Sequence, residues 1–288
     1  MKDRSMLGCA VNLSEGTDLP LLQRVAEEAA GCAHVLDLSS DPDHNRTVLT
    51  LCGRPSPLVD GIVRAARMVV AHVDLHTHQG VHPRTGAVDV VPFYPIRDTP
   101  MEAAVAAARL CAGRLWAELG VPSFLYEEAA TSPESRALPW IRRFAFVTRA
   151  PDVGGPEPHP TAGAAVVGAR GLLVAYNVDL DSDDVEVARE IAMSIRRQCA
   201  GRARTLGLYL PSRRTAQVSM NILLPEQLTL SEAFDAVATE AAVRGVGVKD
   251  SEVVGLVPRD CLGDDPARLR LRQQPRVMED LIDPLFAA

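Results

Sequence analysis

Residues 76–93 read HTHQGVHPRTGAVDVVPF and concentrate the polar, chemically useful side chains of this chain. Gly80, Pro83 and Gly86 interrupt the first part, which therefore forms neither a regular helix nor a central strand. The last part, VDVVPF, is almost continuously apolar and predicts a buried strand. Functional side chains are often held on loops that a rigid scaffold positions. We therefore expect a site in this stretch, with the residues before it as scaffold and those after it closing over the site.

The composition is typical of a soluble globular protein. Its 288 residues, 47% of them hydrophobic, suffice for one large or two modest domains. A formal net charge of −7 argues against a nucleic-acid partner, which would require a basic surface. We find no secretory signal, and no stretch reaches the roughly 20 apolar residues of a membrane span. The cysteines are scattered without a CxxC pair, so we expect a reducing, cytoplasmic location.

Hydrophobic periodicity predicts two units of similar element order. The first has strands at residues 6–12, 33–39, 46–52, up to 95 and 121–126, with helices ending near 31, 72, 119 and 143. Thr99 is expected to cap the third helix. The second has a hairpin-like strand pair at 164–167 and 171–180, helices at 183–199 and 231–243, and strands at 205–210, 216–223 and 253–257. This order predicts the α/β class (an α+β sandwich): two similar subdomains, each a mixed β-sheet covered by helices, at residues 1–150 and 151–262.

Two further segments have alternative interpretations. Residues 149–163, RAPDVGGPEPHPTAG, are rich in proline and glycine and cannot form a helix or a central strand. They are either an interdomain linker or a binding loop whose glycines let a ligand approach the backbone. The tail, residues 263–288, is either a docked helix or disordered.

Four histidines, His72, His76, His78 and His82, raise the question of a metal site. Some of them have the i, i+4 spacing of ligands on a helix, but a glycine and a proline break any helix through them. No HExxH motif is present, so we predict no metal. His82 is a candidate general acid/base, because an imidazole titrates near pH ~6.5. The competing interpretation is a hydrogen-bonded structural histidine.

Polar residues also lie at predicted strand ends. Arg46, preceded by Asn45 and a turn, could bind a carboxylate through its guanidinium group. An arginine paired with Asp41 or Asp43 in the turn fits the same pattern. Asn12 is either a polar group at a sheet-edge site or an ordinary capping residue.

A series of motifs then resembles a known family. The segments are CAVNLSEG, NRTVLTLCGRP, HTHQGVHPRTGAVDVVPFYPI, VPSFLYEEAA, VVGARGLLVAYNVDL, TAQVSMNIL and SEVVGLVP. They occur in the order found in glutamate formiminotransferases, and the resemblance covers roughly residues 7–260. The chain looks like the formiminotransferase unit alone, because it is too short for the cyclodeaminase that some relatives carry in addition.

The resemblance implies a function and a site. Such enzymes transfer a formimino group from N-formimino-L-glutamate to N5 of tetrahydrofolate during histidine degradation, without a metal. They are usually dimers, and the ligands lie in a groove between the two subdomains. His82 matches the family's catalytic acid/base. The residues expected to bind substrate or folate are Asn12, Asn45, Arg46, Arg84, Asp89, Tyr126 and, in the folate-binding loop, Gly154, Gly155, Pro160 and Gly163.

The chain departs from the family pattern at several positions. CAVN at residues 9–12 stands for the family's CVPN, the folate loop has Val153, Glu157 and His159 in place of its aromatic residues, and the segments after Arg143 and Cys199 are shorter than usual. Ser39 stands where an acidic residue is usual, Val81 replaces a glutamate before the histidine, and Glu127 replaces a glycine. The departures cluster around the expected ligands, which leaves two alternatives beside the main prediction. One is folate-dependent formyl or formimino transfer involving a different substrate. The other is a non-catalytic homologue that binds folate or a protein partner.

Overall fold

The chain divides into two units between Arg170 and Gly171 in the computed structural model, which describes residues 5–287. The division falls later than the expected boundary at residue 150, because the strand Ala165–Ala169 pairs within the first sheet. Within the described residues, no helix has both the length and the apolar composition needed to cross a membrane.

The first unit is built on a six-stranded mixed sheet. Its strands are β1 (Leu7–Leu13), β2 (His34–Asp41), β3 (Arg46–Gly53), β4 (Val88–Pro95), β5 (Ser123–Glu127) and β6 (Ala165–Ala169). Their order in the sheet is β2-β3-β1-β4-β6-β5. The pairs β4–β6 and β5–β6 are parallel, and the remaining pairs are antiparallel. Its helices are α1 (Leu19–Ala30), α2 (Pro55–His72), α3 (Met101–Leu119) and α4 (Leu138–Phe144).

Helices α1, α2 and α3 form one hydrophobic core with the sheet. The apolar positions of α1 recur at helical spacing, and Leu22, Val25 and Ala29 are all buried. A second, smaller cluster contains Ile141 of α4 together with Val90 and Phe124. The packing of Ile141 fixes α4 close to the start of β4, where the site lies.

The second unit contains a four-stranded antiparallel sheet in the order β10-β7-β9-β8. Its strands are β7 (Val174–Leu180), β8 (Ala203–Leu210), β9 (Thr215–Ile222) and β10 (Val248–Val254), and its helices are α5 (Val185–Gln198) and α6 (Leu230–Val243). A capping box between Thr229 and Glu232 starts α6. The tail is ordered as far as residue 287: β11 (Leu256–Val257) pairs with β12 (Arg276–Val277), and α7 (Met278–Ala287) follows.

Two local predictions are wrong. The hairpin of residues 164–167 with 171–180 does not form, because β6 lies between β4 and β5 while β7 pairs with β9 and β10. All five residues of β6 are buried, as is usual for a parallel strand inside a sheet. Thr99 does not cap α3. The residue before that helix is Pro100, and the Thr99 hydroxyl instead accepts a hydrogen bond from the Met6 amide at 3.0 Å.

Candidate active site

The segment between α2 and β4 carries His82, and the turn between β2 and β3 holds it in place. The Val81 amide donates to the Asp43 carbonyl at 3.1 Å, and the Asn45 side-chain amide donates to the Gln79 carbonyl at 2.7 Å. The His82 segment and the turn approach each other so closely that position 80 requires glycine. A Cβ atom there would lie 2.5 Å from the His44 carbonyl oxygen. These contacts bring His82 beside the first residue of β3, Arg46.

A buried charge cluster lies next to this histidine. The Asp89 carboxylate is fully buried, and its Oδ2 accepts from Arg46 Nη1 at 2.6 Å and from Arg142 Nη2 at 2.7 Å. Its Oδ1 accepts from the Thr85 amide at 2.6 Å. Burial alone would raise the pKa of Asp89, but the two guanidinium groups and the amide outweigh it and hold that pKa below its usual range. Asp89 is therefore ionised at neutral pH.

His82 is half-buried, and its contacts define the proton on its ring. Nδ1 lies 2.8 Å from the Pro83 carbonyl oxygen and 3.3 Å from Arg46 Nη1. Because a carbonyl oxygen only accepts, we assign the proton to Nδ1, which leaves the lone pair on Nε2. Burial, Arg46 and Arg142 together lower the pKa of His82 to about 3, although the Pro83 carbonyl and Asp89 act in the opposite direction. The imidazole is thus neutral at neutral pH, with Nε2 able to accept a proton.

Arg84 borders an open depression beside this histidine. Its guanidinium group donates to the Gly80 carbonyl at 2.9 Å and to the His82 carbonyl at 3.0 Å, and Nη1 lies 3.4 Å from His78 Nε2. The depression has a volume of about 570 Å³ and is lined by Leu75, His78, Gln79, Gly80, His82, Pro83 and Arg84. Arg84 therefore holds the loop in shape and also presents positive charge at its surface.

The proline- and glycine-rich segment packs against the segment that carries His82. Hydrogen bonds run from the Leu75 amide to the Thr161 carbonyl at 2.9 Å and from the Ala87 amide to the Ala162 carbonyl at 2.9 Å. Gly163, with φ of +67°, lies so close that a Cβ atom there would be 2.5 Å from the Thr85 carbonyl oxygen. Residues 149–163 thus belong to the first unit and form part of the surroundings of His82.

Both units of the chain resemble proteins of one known family. Residues 6–170 match the model of the N-terminal subdomain of the formiminotransferase domain, and residues 175–280 match that of the formiminotransferase domain. The chain belongs to the formiminotransferase family. It is 39% identical to a glutamate formimidoyltransferase of Streptococcus pyogenes, covering 89% of this chain and 90% of that protein. It is 36% identical to a protein of the same name from Thermoplasma acidophilum, covering 90% of both chains.

A longer relative is also similar. The formimidoyltransferase-cyclodeaminase of mouse is 36% identical over 96% of this chain, and the match spans 54% of the mouse protein. The first family model ends at residue 170 and the second begins at residue 175, so the change from one model to the other falls at the boundary between the two units. The formiminotransferase family thus accounts for both units.

The two asparagines expected in the formiminotransferase site make contacts inside the protein. Asn12 Oδ1 accepts from Arg46 Nε at 3.0 Å and from Arg46 Nη2 at 2.8 Å, which fixes the plane of that guanidinium group. Asn45 has a positive φ of +46°, and its Oδ1 accepts from the Gly16 amide at 2.9 Å. Both side chains therefore orient neighbours of His82.

The other residues expected to bind folate have separate surroundings. A Cβ atom on Gly154 would lie 2.8 Å from the Trp116 ring and one on Gly155 3.3 Å from it, so both glycines lie close to that indole. Pro160 is exposed. Tyr126 is buried in the cluster with Ile141, and burial raises the pKa of its hydroxyl to about 12, so it remains protonated.

Three of the expected departures from the family pattern, at Ser39, Val81 and Glu127, have local structural consequences. Ser39 donates to Asp37 Oδ2 at 2.6 Å, so an acidic residue lies two positions before the expected one. Val81 supplies a backbone amide to the turn but no charge next to His82. Glu127 has φ of +51°, a left-handed conformation that favours glycine.

Two neighbours of His82 were not predicted from the sequence. Arg142 of α4 contacts Asp89, and the His44 ring lies edge-on to the His82 ring with 6.0 Å between centroids. Arg142 is 60 residues from His82 in the chain, and neighbouring Arg143 offers the same side chain. Only the packing of α4 selects one of them. Among residues 5–287, no group of three His, Cys, Asp or Glu residues is arranged to hold a metal ion.

Proposed function

We propose that this protein transfers the formimino group of N-formimino-L-glutamate to N5 of tetrahydrofolate, with His82 as the acid/base. The observation that carries the proposal is the neutral His82 imidazole, whose Nδ1–H is held by the Pro83 carbonyl and whose Nε2 carries the lone pair. It occurs in a chain whose two units match the formiminotransferase domain. Relatives at 36–39% identity are named glutamate formimidoyltransferase.

The arrangement supports each proton transfer of this reaction. N5 attacks the amidine carbon and a tetrahedral intermediate forms, while N5 gives a proton to Nε2 of His82. The bond from the carbon to the glutamate nitrogen then breaks, and the same Nε2 returns the proton to the departing nitrogen. A single imidazole serves both steps because no net proton is gained or lost. Tetrahydrofolate is a substrate here, and no metal is needed in the scheme.

The binding roles follow from position and charge. The guanidinium group of Arg46 lies beside the His82 ring and that of Arg84 contacts the His82 carbonyl, and their positive charge suits a substrate that carries carboxylates. Asn12 and Asn45 orient Arg46 and the His82 segment, and Asp89 holds the charge cluster. For tetrahydrofolate we propose the segment with Gly154, Gly155, Pro160 and Gly163, together with Tyr126. A homodimer, a cytoplasmic location and a place in histidine degradation are further proposals that rest on the family alone.

A product assay tests this function directly. The purified protein is incubated with tetrahydrofolate and N-formimino-L-glutamate, and 5-formiminotetrahydrofolate is followed by liquid chromatography with mass detection. We expect product that depends on both substrates. Parallel reactions with N-formyl-L-glutamate, in which 5-formyltetrahydrofolate is followed, test the alternative donor. Formyl transfer without any formimino transfer would contradict the proposal. Binding of tetrahydrofolate without turnover of either donor would instead indicate the non-catalytic alternative.

A further inference from the structure

The charge cluster beside His82 contains one more positive charge than negative. Two guanidinium groups, from Arg46 on β3 and Arg142 on α4, share a single oxygen of Asp89 on β4. His82 itself is neutral, and the turn before β3 contributes the His44 ring. Arg84, in the same loop as His82, adds further positive charge. The excess charge favours an anionic ligand at this place.

Arg142 has the hydrogen-bonding capacity to bind that anion. Among residues 5–287, the only acceptor to which it donates is Asp89, through Nη2. Its buried Nε–H finds no acceptor in the part of the chain that the structure describes, although 18% of the side chain is exposed. Arg46, in contrast, is engaged by Asn12 through two nitrogens and by Asp89 through the third. A guanidinium group has five N–H donors, so most of those on Arg142 remain available.

We propose that Arg142 binds the α-carboxylate of the glutamate moiety beside His82, and that the carboxylate neutralises the excess charge and so lets the imidazole hold a proton. The inference rests on the proposed function. The α-carboxylate is assigned because it is attached to the carbon that bears the departing nitrogen. When that nitrogen lies within reach of His82, the α-carboxylate lies nearby, whereas the γ-carboxylate is two further carbons along the side chain.

The neutralisation gives His82 both of its roles. In the free protein, burial, Arg46 and Arg142 keep the imidazole unprotonated and its pKa low. A carboxylate on Arg142 offsets one of these cations and raises the pKa of His82 towards its ordinary range. The imidazole can then take the proton from N5 as the N5–carbon bond forms and give it to the glutamate nitrogen as the carbon–nitrogen bond breaks. Substrate binding thus prepares the acid/base at the moment of reaction.

Product analogues test the assignment on the wild-type protein. L-Glutamate, its α-amide L-isoglutamine and its γ-amide L-glutamine are compared as inhibitors of formimino transfer. We expect the α-amide to inhibit roughly 10- to 100-fold more weakly than glutamate, the range typical of losing a hydrogen bond to a charged group. Equal inhibition by glutamate and its α-amide would overturn the inference. Wild-type protein that forms no product would overturn the proposed function, and the inference with it.

Variants then assign the effect to Arg142. In Arg142→Met, the α-amide should inhibit as well as glutamate does. The γ-amide should still inhibit more weakly than glutamate. Arg142→Lys keeps the charge and should retain part of the effect, so it provides a second test if the methionine variant folds poorly. Arg143→Met is the matched control, since that exposed arginine lies over the Phe144 ring instead of contacting Asp89. A full α-amide effect in both Arg142 variants would contradict the assignment.

The pH profile separates binding from a purely structural role. The acid limb of kcat/KM reports the free enzyme and that of kcat reports the complex. In the wild type and in Arg143→Met, we expect the acid limb of kcat at higher pH than that of kcat/KM. In Arg142→Met, we expect a smaller pH difference between these two limbs. An Arg142→Met protein with the wild-type separation would show that another group neutralises the charge.

Discussion

Arg46 Nη1 lies 2.6 Å from Asp89 Oδ2, and the carboxylate that it contacts is fully buried. This pair joins the first residue of β3 to the second residue of β4 and fixes the position of the guanidinium group relative to His82. A buried ion pair contributes little net stability, but the loss of one partner leaves a buried charge without compensation. The relationship therefore predicts a large effect of changing Asp89.

Asp89→Asn should destabilise the fold strongly. The variant leaves Arg46 and Arg142 without a counter-ion, and breaking a buried pair typically costs about 3–5 kcal/mol. The free energy of unfolding in urea at pH 7 measures this. Asp60→Asn is the matched control, because Asp60 pairs with Arg114 at the surface, where an ion pair is worth about 1 kcal/mol or less. Equal effects of the two substitutions would contradict the role of Asp89.

His82 should make stability depend on pH. Its folded-state pKa is about 3, whereas in the unfolded chain it titrates near its ordinary 6.5. Between these values the unfolded state binds the extra proton, so stability falls as pH falls from about 6.5. Between pH 7 and pH 5 the loss from this group is at most about 2 kcal/mol.

The corresponding test uses His82→Gln, which should lose less stability than the wild type between pH 7 and pH 5. Urea unfolding at both pH values measures the difference. His76→Gln changes an exposed histidine outside the charge cluster and serves as the control. A His82→Gln protein with the wild-type pH dependence would show that burial and the guanidinium groups do not lower the pKa of His82 in the folded state.

Glu127→Gly should stabilise the protein although it removes a side chain. Glu127 has φ of +51°, and the left-handed conformation costs a residue with a Cβ atom roughly 1–2 kcal/mol. The gain is partly offset by the greater freedom of glycine in the unfolded chain, which leaves about 0.5–1 kcal/mol. Glu127→Ala removes the same charge but keeps the Cβ atom, so thermal unfolding of the two variants isolates the backbone term. A glycine variant no more stable than the alanine variant would refute this explanation.

Gly163→Ala should damage both stability and activity. The new methyl group would lie 2.5 Å from the Thr85 carbonyl oxygen, in the segment that positions Asp89, and φ of +67° adds backbone strain. We expect a loss of about 2 kcal/mol or more in urea unfolding and a lower kcat/KM. Gly113→Ala in α3 has open space around the new methyl group and should gain about 0.5–1 kcal/mol. A Gly163→Ala protein with wild-type stability would show that the two segments are not in close contact.

Local sequence patterns predicted most strands of both sheets and the helices beside them. The alternation of apolar and polar residues in strands, and the helical spacing of apolar residues, indicate which residues are buried. They did not identify the partner of a strand. Residues 165–169 are adjacent in the chain to β7, yet they pair with β4 and β5, and no local signal distinguishes these arrangements. The boundary at residue 170 was missed for the same reason, since it depends on the sheet in which residues 165–169 pair.

In the site, too, some residues could be predicted from the sequence and others depend on tertiary packing. His82, Arg46 and Asp89 lie in or next to recognisable motifs, and the structure brings them together. Arg142 was missed because its role depends on Ile141, which packs α4 against the sheet near β4. Nor does the identity of Glu127 indicate its positive φ.

The most direct test of the account is the turnover of His82→Ala with tetrahydrofolate and N-formimino-L-glutamate, measured beside the wild type and His76→Ala. General acid/base catalysis typically contributes a factor of about 10²–10⁴, so we expect kcat to fall by that factor in His82→Ala. His76→Ala, which removes an exposed histidine of the same loop, should retain wild-type turnover. A folded His82→Ala protein that keeps kcat within about tenfold of wild type, below the acid/base range, would contradict the central claim.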